Sequence, residues 1–210
     1  MVALTEYESK KLLESFGVRV TRESVVTDFE EACSAAANIG YPIALKVSGL
    51  NTEHKSEIGG VKTGIHDQES LKAAWTELAK ISPSISEFLL SEHVEGRREF
   101  IAGYHIDPDF GPTIMFGLGG IFTEAITDIN FKLLPCTQND LIQMVSELQS
   151  SILLKAFRGE PEVNLELLLN MLEAIATCGL SDPDIIAIDV NPIIISNDRP
   201  TAVDALVVLS

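Results

Sequence analysis

Lys46 stands inside an apolar run, Ile43-Ala44-Leu45-Lys46-Val47, and the chain then passes Gly49, His54 and Lys55 to reach Gly59-Gly60. These residue types at this spacing suit phosphate binding. Side chains on a strand alternate between faces, so Ile43, Leu45 and Val47 share one face and Ala44 and Lys46 the other. The ammonium is thereby presented opposite a packed surface. Glycines lack a Cβ and let the backbone bend sharply and approach a ligand. Consecutive N–H groups near Lys46, Lys55 and Lys62 form a cradle for an anion. The Walker pattern is absent, because no Gly-Lys-Ser/Thr opens a helix.

A second candidate lies near the C-terminus. Ile185 to Val190 and Ala202 to Val208 are strand-like and flank Ser196-Asn197-Asp198-Arg199-Pro200. A hairpin whose turn is centred on Asn197-Asp198 puts Asn191 directly across from Asp204. Cross-strand Cβ atoms lie about 4.5–5.5 Å apart. An amide oxygen and a carboxylate at that separation both reach a Mg²⁺, whose ligands sit at about 2.0–2.1 Å.

Alternating helix and strand signals position these groups. Thr5-Glu6-Tyr7-Glu8 reads as a capping box before a helix that stops near Gly17. Thr27 to Glu30 repeats the pattern, Asp67 caps a helix carrying Leu71, Ala74, Trp75 and Leu78, and Asp140 and Asn164 start two more. Phe88 to Val94, Glu99 to Tyr104 and Thr113 to Phe116 read as strands, with a hinge at Glu95-Gly96. Gly117-Leu118-Gly119-Gly120 falls short of the dinucleotide-binding glycine pattern. The expected class is α+β (α/β), with pairing directions undecided.

The 210 residues are enough for a substantial core. A formal charge of −16 argues against nucleic-acid and anionic-membrane partners, while a local basic cluster still accommodates a polyanionic ligand. The most apolar run, 185–195, is too short to span a bilayer, and residues 1–16 carry charges where a signal peptide would be apolar. Cys33, Cys136 and Cys178 are odd in number and widely spaced. A reduced, cytoplasmic protein is expected.

Residues 54–61, His-Lys-Ser-Glu-Ile-Gly-Gly-Val, resemble the His-Lys-(Ser/Thr)-(Asp/Glu)-x-Gly-Gly-Val signature of the ATP-grasp subunit or domain of ADP-forming acyl-CoA synthetases. That group is related to the nucleotide-binding subunit of succinyl-CoA synthetase. Residues 4–18, 110–124, 157–159 and 188–205 resemble further blocks of the family in the same order, so the resemblance covers nearly all of the chain. It implies an ATP-grasp fold in which two α+β lobes hold the nucleotide between them. Here the lobes would be 1–95, with the phosphate-binding hairpin, and 96–210, with the Mg²⁺-binding hairpin.

The resemblance also implies roles. Lys46 contacts the phosphates of ATP or ADP, and the Gly59-Gly60 turn folds over them. Glu92 and the 92–94 backbone sit at the adenine, with Glu99 near the ribose or hinge. Asn191 and Asp204 hold Mg²⁺. His54 is a phosphohistidine relay; a neutral imidazole can attack phosphorus and later leave. Either Glu53 or Glu57 orients its ring. The implied reaction is acyl-CoA + ADP + phosphate ⇌ carboxylic acid + CoA + ATP. Only the nucleotide half is here, so a CoA-binding and ligase subunit or fused domain is the implied partner.

Three departures stand out. The family's Ser-Pro before the relay is Ser48-Gly49, its frequent Glu is Ala187, and its usual Arg is Lys132. Rival expectations are a regulatory nucleotide- or acyl-CoA-sensing module of a protein acyltransferase, and an interaction subunit with a degenerate pocket.

Overall fold

The computed structural model describes residues 1–48, 59–81, 86–120 and 127–210. Its first elements are β1 (Val2–Ala3), α1 (Glu6–Ser15), β2 (Glu23–Val26), α2 (Phe29–Ile39), β3 (Ile43–Ser48), β4 (Val61–Ile65), α3 (Gln68–Leu78) and β5 (Glu87–Glu92). Then come β6 (Arg98–Asp107), β7 (Gly111–Leu118), β8 (Ile129–Leu133), α4 (Gln138–Ser146), α5 (Leu165–Ser181), β9 (Ile185–Ser196), β10 (Arg199–Ala202) and β11 (Ala205–Leu209). They form two units, Thr21–His93 and Met1–Val20 with Val94–Ser210.

In the smaller unit the alternation along β3 decides the packing. Ile43, Leu45 and Val47 are fully buried with Leu71 and Leu78 of α3 and Ala32 and Ala36 of α2. The antiparallel sheet runs β2-β5-β3-β4 with both helices on this one face. Trp75 packs, partly buried, against this core, its ring 4.4 Å from that of Phe88 and 6.0 Å from that of Phe29. Asp67 caps α3 as expected, accepting from Ser70 N. At α2 the cap is Asp28, not Thr27, whose N–H and hydroxyl both donate to Glu31.

The larger unit carries an antiparallel sheet in the order β1-β11-β9-β6-β7-β8, with β10 also paired to β9. Its core face meets α1, α4 and α5 through residues such as Leu13, Phe100, Ala102, Leu141, Met144, Leu172, Ile175, Val190 and Val207. α4 starts one turn earlier than its expected cap: Thr137 is the N-cap and Asp140 closes the capping box from the third position. The first twenty residues pack with this unit, whereas the expected lobe 1–95 grouped them with residues 21–93. Val2 and Ala3 pair with Leu209 and Val208, and Leu4 N donates to Val207 O at 2.9 Å. The smaller unit's first strand, β2, begins only at Glu23.

Candidate active site

Lys46 is held on the face of the smaller sheet that turns away from α2 and α3. Only 4% of it is exposed. Its register partners Val61 and Leu89 share its face, as does the Ala44–Ser91 pair. Ser91 is fully buried, and among the described residues its hydroxyl oxygen has no hydrogen-bond partner. Buried polar groups usually find one. Gly60 O accepts from Val47 N at 2.9 Å, which ties the glycine pair directly beside Lys46. Gly59 has φ +70°, a conformation that needs glycine there. Lys62 is different. It is the register partner of Leu45, on the helix-covered face, and its ammonium pairs with Glu77 of α3. Lys62 therefore leaves the cradle expected around Lys46. Lys55, His54, Glu53 and Glu57 lie outside the described residues.

Glu92 ends β5, and both its carboxylate oxygens are engaged by Arg22: Nε donates to Oε2 at 2.8 Å and the backbone N–H to Oε1 at 3.1 Å. Its own N–H donates to Arg22 O, and that of His93 to Pro42 O. Glu99 sits in the larger unit, on β6 opposite Ile194. Its carbonyl accepts from Gly119 N, and its carboxylate lies so close to Gly120 that a Cβ there would stand 2.8 Å from Oε2.

The C-terminal hairpin has the expected register. Ser196 pairs with Arg199 across Asn197-Asp198, and Ile193 with Ala202. Beyond the break between β10 and β11, Val190 pairs with Ala205. Asn191-Pro192 and Val203-Asp204 thus lie opposite each other, joined by Asn191 N to Asp204 O at 3.1 Å and Val203 N to Pro192 O at 3.0 Å. On the β6 side the count is unequal. Phe100 pairs with Ile193 and Ala102 with Val190, so Ile101 alone opposes Asn191 and Pro192. This bulge switches the parity of β9: Ile188 and Val190 face the core before it, and Ile193 and Ile195 after it. Bulges of this kind re-aim side chains, and here Asn191 is turned to the face away from the helices.

Asp189, two residues before Asn191, shares that face and carries a signal missed in the sequence. Although it is exposed, the protein around it and then the Asp204 carboxylate push its carboxyl above the usual range, as expected for two carboxylates in one patch. Lys132 does not join them. It lies on the helix side of β8, where its Nζ donates to Gln143 Oε1 of α4 at 3.0 Å. Among the described residues no group of three or more His, Cys, Asp or Glu side chains is arranged for a metal. An amide oxygen with one or two carboxylates nevertheless fits Mg²⁺, which keeps waters and takes phosphate oxygens for the rest of its octahedron.

Residues 2–209 match the ATP-grasp domain family. The chain is 35% identical over 212 residues to the acetate–CoA ligase [ADP-forming] I subunit beta of Pyrococcus furiosus, covering 98% of this chain and 91% of that one. It is 31% identical over 207 residues to the acetate–CoA ligase [ADP-forming] I of Archaeoglobus fulgidus, covering 96% of this chain and 30% of that longer protein. Dinucleotide-forming acetyl-coenzyme A synthetase 1 of Candidatus Korarchaeum cryptofilum, solved with coenzyme A and Ca-AMPCP, superposes with a TM-score of 0.95 at 33% identity, over 100% of this chain and 94% of that one. The same protein with coenzyme A and Mg-AMPPCP has its phosphohistidine segment pointing towards the nucleotide-binding site; there the TM-score is 0.87 at 34% identity, over 99% and 93%. The chain belongs to the ATP-grasp family, among the β subunits and domains of ADP-forming acyl-CoA ligases. No helix among the described residues is long and apolar enough to cross a membrane.

Proposed function

We propose that the chain is the nucleotide-binding subunit or domain of an ADP-forming acyl-CoA synthetase, catalysing acyl-CoA + ADP + phosphate ⇌ carboxylic acid + CoA + ATP with a CoA-binding partner subunit or fused domain. The observation that carries this reading is the opposed pair Asn191 and Asp204, with Asn191 turned by a bulge to the helix-free face of its sheet. Asn191 and Asp204 would hold a Mg²⁺, which would supply positive charge against the phosphates. Lys46, buried beside the glycine pair, places a fixed positive charge on the phosphates, and its low exposure strengthens the contact. The Gly59-Gly60 backbone covers them.

Glu92 keeps the end of β5 in place through Arg22, so that the 92–94 backbone meets the base, and Glu99 stands near the ribose. His54 carries the phosphoryl group. Its imidazole lone pair attacks the γ-phosphorus, the bond to the bridging oxygen breaks, and ADP leaves with that electron pair; the reverse reaction regenerates ATP. Incubation with ATP labelled at the γ-phosphate, Mg²⁺ and the partner should leave acid-labile label on the chain, lost in His54→Asn. Label on another residue, or none with a competent partner, overturns the relay. Nucleotide binding without any label would favour the sensing module.

A further inference from the structure

The buried stripe of α1 is Glu6, Ser9, Lys10 and Leu13, at helical spacing. A helix packed on a core normally makes such a stripe apolar, yet three of these four residues are polar. Lys10 has no exposed surface at all. Its ammonium is 2.9 Å from Glu6 Oε1, itself buried, and donates to Val203 O at 3.1 Å. Ser9 Oγ accepts from Val207 N at 3.0 Å. Burying an ion pair is costly, and an apolar pair of similar volume is often at least as stable. What methionine could not do at position 10 is hold a carbonyl.

That carbonyl has a special place. Val203 and Asp204 are the two residues between β10 and β11, where the ladder is broken. Val203 O belongs to the peptide unit whose nitrogen is that of Asp204. Three bonds thus orient this short link: Lys10 Nζ to Val203 O, Val203 N to Pro192 O, and Asn191 N to Asp204 O. We infer that Lys10, with Glu6 as its counter-ion, is a positioning residue that sets the direction of the Asp204 carboxylate toward the Mg²⁺–nucleotide complex. The inference rests on the metal role proposed above for Asp204.

The test is a titration of the full chain with Mn²⁺ in the presence of ADP, free Mn²⁺ being read by electron paramagnetic resonance, alongside thermal melts. Glu6→Gln/Lys10→Met removes both charges of this pair together. It should melt cooperatively yet bind Mn²⁺ ten- to a hundredfold more weakly, the usual effect of losing an outer-shell partner of a metal ligand. Ser9→Ala, which frees a buried N–H three residues further along β11, should lower the melting temperature while leaving Mn²⁺ affinity within about twofold. Asp204→Asn separates the two claims. If it binds Mn²⁺ like the wild type, the metal reading fails and this inference with it. If it binds weakly while the neutral pair binds normally, the inference alone fails. Should the neutral pair not fold, the wild type decides. Its slowly exchanging Lys10 ¹⁵Nζ resonance, told from that of Lys46 in Lys46→Met, shifts on adding Mg²⁺ and ADP, and a resonance that stays put overturns the inference.

Discussion

Gly103 tests how closely the larger sheet is built around the Asp189–Asn191 segment. It lies on β6 opposite Asp189 of β9 and Met115 of β7. Its φ is not in the left-handed region, so the backbone at 103 itself tolerates alanine. The obstacle is the neighbour: an added Cβ would stand 2.8 Å from Ile188 O and 3.3 Å from Met115 Cε. The methionine methyl can swing aside. The carbonyl cannot, because β9 is paired on both edges, to β6 and to β10 and β11. Ordinary contact begins near 3.4 Å, so β9 must retreat by roughly 0.6 Å at Ile188. Overpacking on this scale costs about 1–3 kcal/mol, and at about 2–4 °C per kcal/mol for a chain of this size the melting temperature of Gly103→Ala should fall by roughly 2–12 °C. The displaced carbonyl is one residue before Asp189 and three before Asn191, so Mn²⁺ should bind more weakly as well. Gly111→Ala is the control. With φ +83° and nothing within 4 Å, it carries only backbone strain of about 1–2 kcal/mol and leaves Mn²⁺ affinity alone. Circular-dichroism melts and Mn²⁺ titration read both effects. A Gly103→Ala protein that melts like the wild type, or that is destabilised with unchanged metal affinity, refutes the reasoning.

Three further outcomes follow from the geometry. If Glu92 acts through Arg22, then Arg22→Ala and Glu92→Ala should weaken ADP binding by the same factor, below about fivefold, since an ion pair whose Arg22 side chain is largely in solvent contributes about 0–1 kcal/mol. Calorimetric titration checks this, and a loss above tenfold for Glu92→Ala alone would mean that the carboxylate meets the nucleotide directly. Burial pushes the Cys178 thiol up to about 11. The folded chain holds that proton more tightly than the unfolded one, so stability falls as pH rises from about 9 toward 11, by roughly 2–3 kcal/mol in all, and Cys178→Ala should flatten the alkaline limb of urea melts. Thr5→Ala removes the cap of α1 and should cost about 1 kcal/mol at pH 7. The Thr5 backbone and hydroxyl bonds hold the Glu8 carboxyl below its usual range, so part of that stability is present above the ordinary glutamate value and lost as pH falls; melts at pH 7 and pH 3 should show a smaller penalty in acid.

How far the chain was legible depended on sequence distance. The faces of β3 follow from an alternation within five residues, and the opposition of Asn191 and Asp204 from counting outward from one turn. Both hold in the structure because a hairpin fixes its register locally. Lys62 was misplaced by the same locality. Proximity to Gly59-Gly60 in sequence suggested a shared cradle, whereas pairing with Leu45 turns its side chain toward α3. Asp189 passed unnoticed because an acidic residue inside an apolar strand acquires meaning only from Asp204 on the neighbouring strand. His54 and its orienting glutamate fall outside the described residues, so their geometry adds nothing to the sequence signature.

The farthest separation explains the largest surprise. Glu6 and Lys10 are visible in the sequence as an i,i+4 pair, and on an isolated helix such a pair is a solvated contact of a few tenths of a kcal/mol. Nothing within α1 says otherwise. The contact that buries Lys10 comes from Val203, 193 residues away, and β1 can pair only after β11 exists. The same pairing carries Met1–Val20 into the larger unit. The hairpin's own bonds engage this link at Val203 N and Asp204 O. Orienting the Val203–Asp204 peptide further calls for a donor from outside the hairpin at the Val203 carbonyl. A lysine held rigid by its own counter-ion meets that need where an apolar side chain would only fill space. The polarity of the α1 stripe is therefore explained by the carbonyl it serves and not by the stability of the helix.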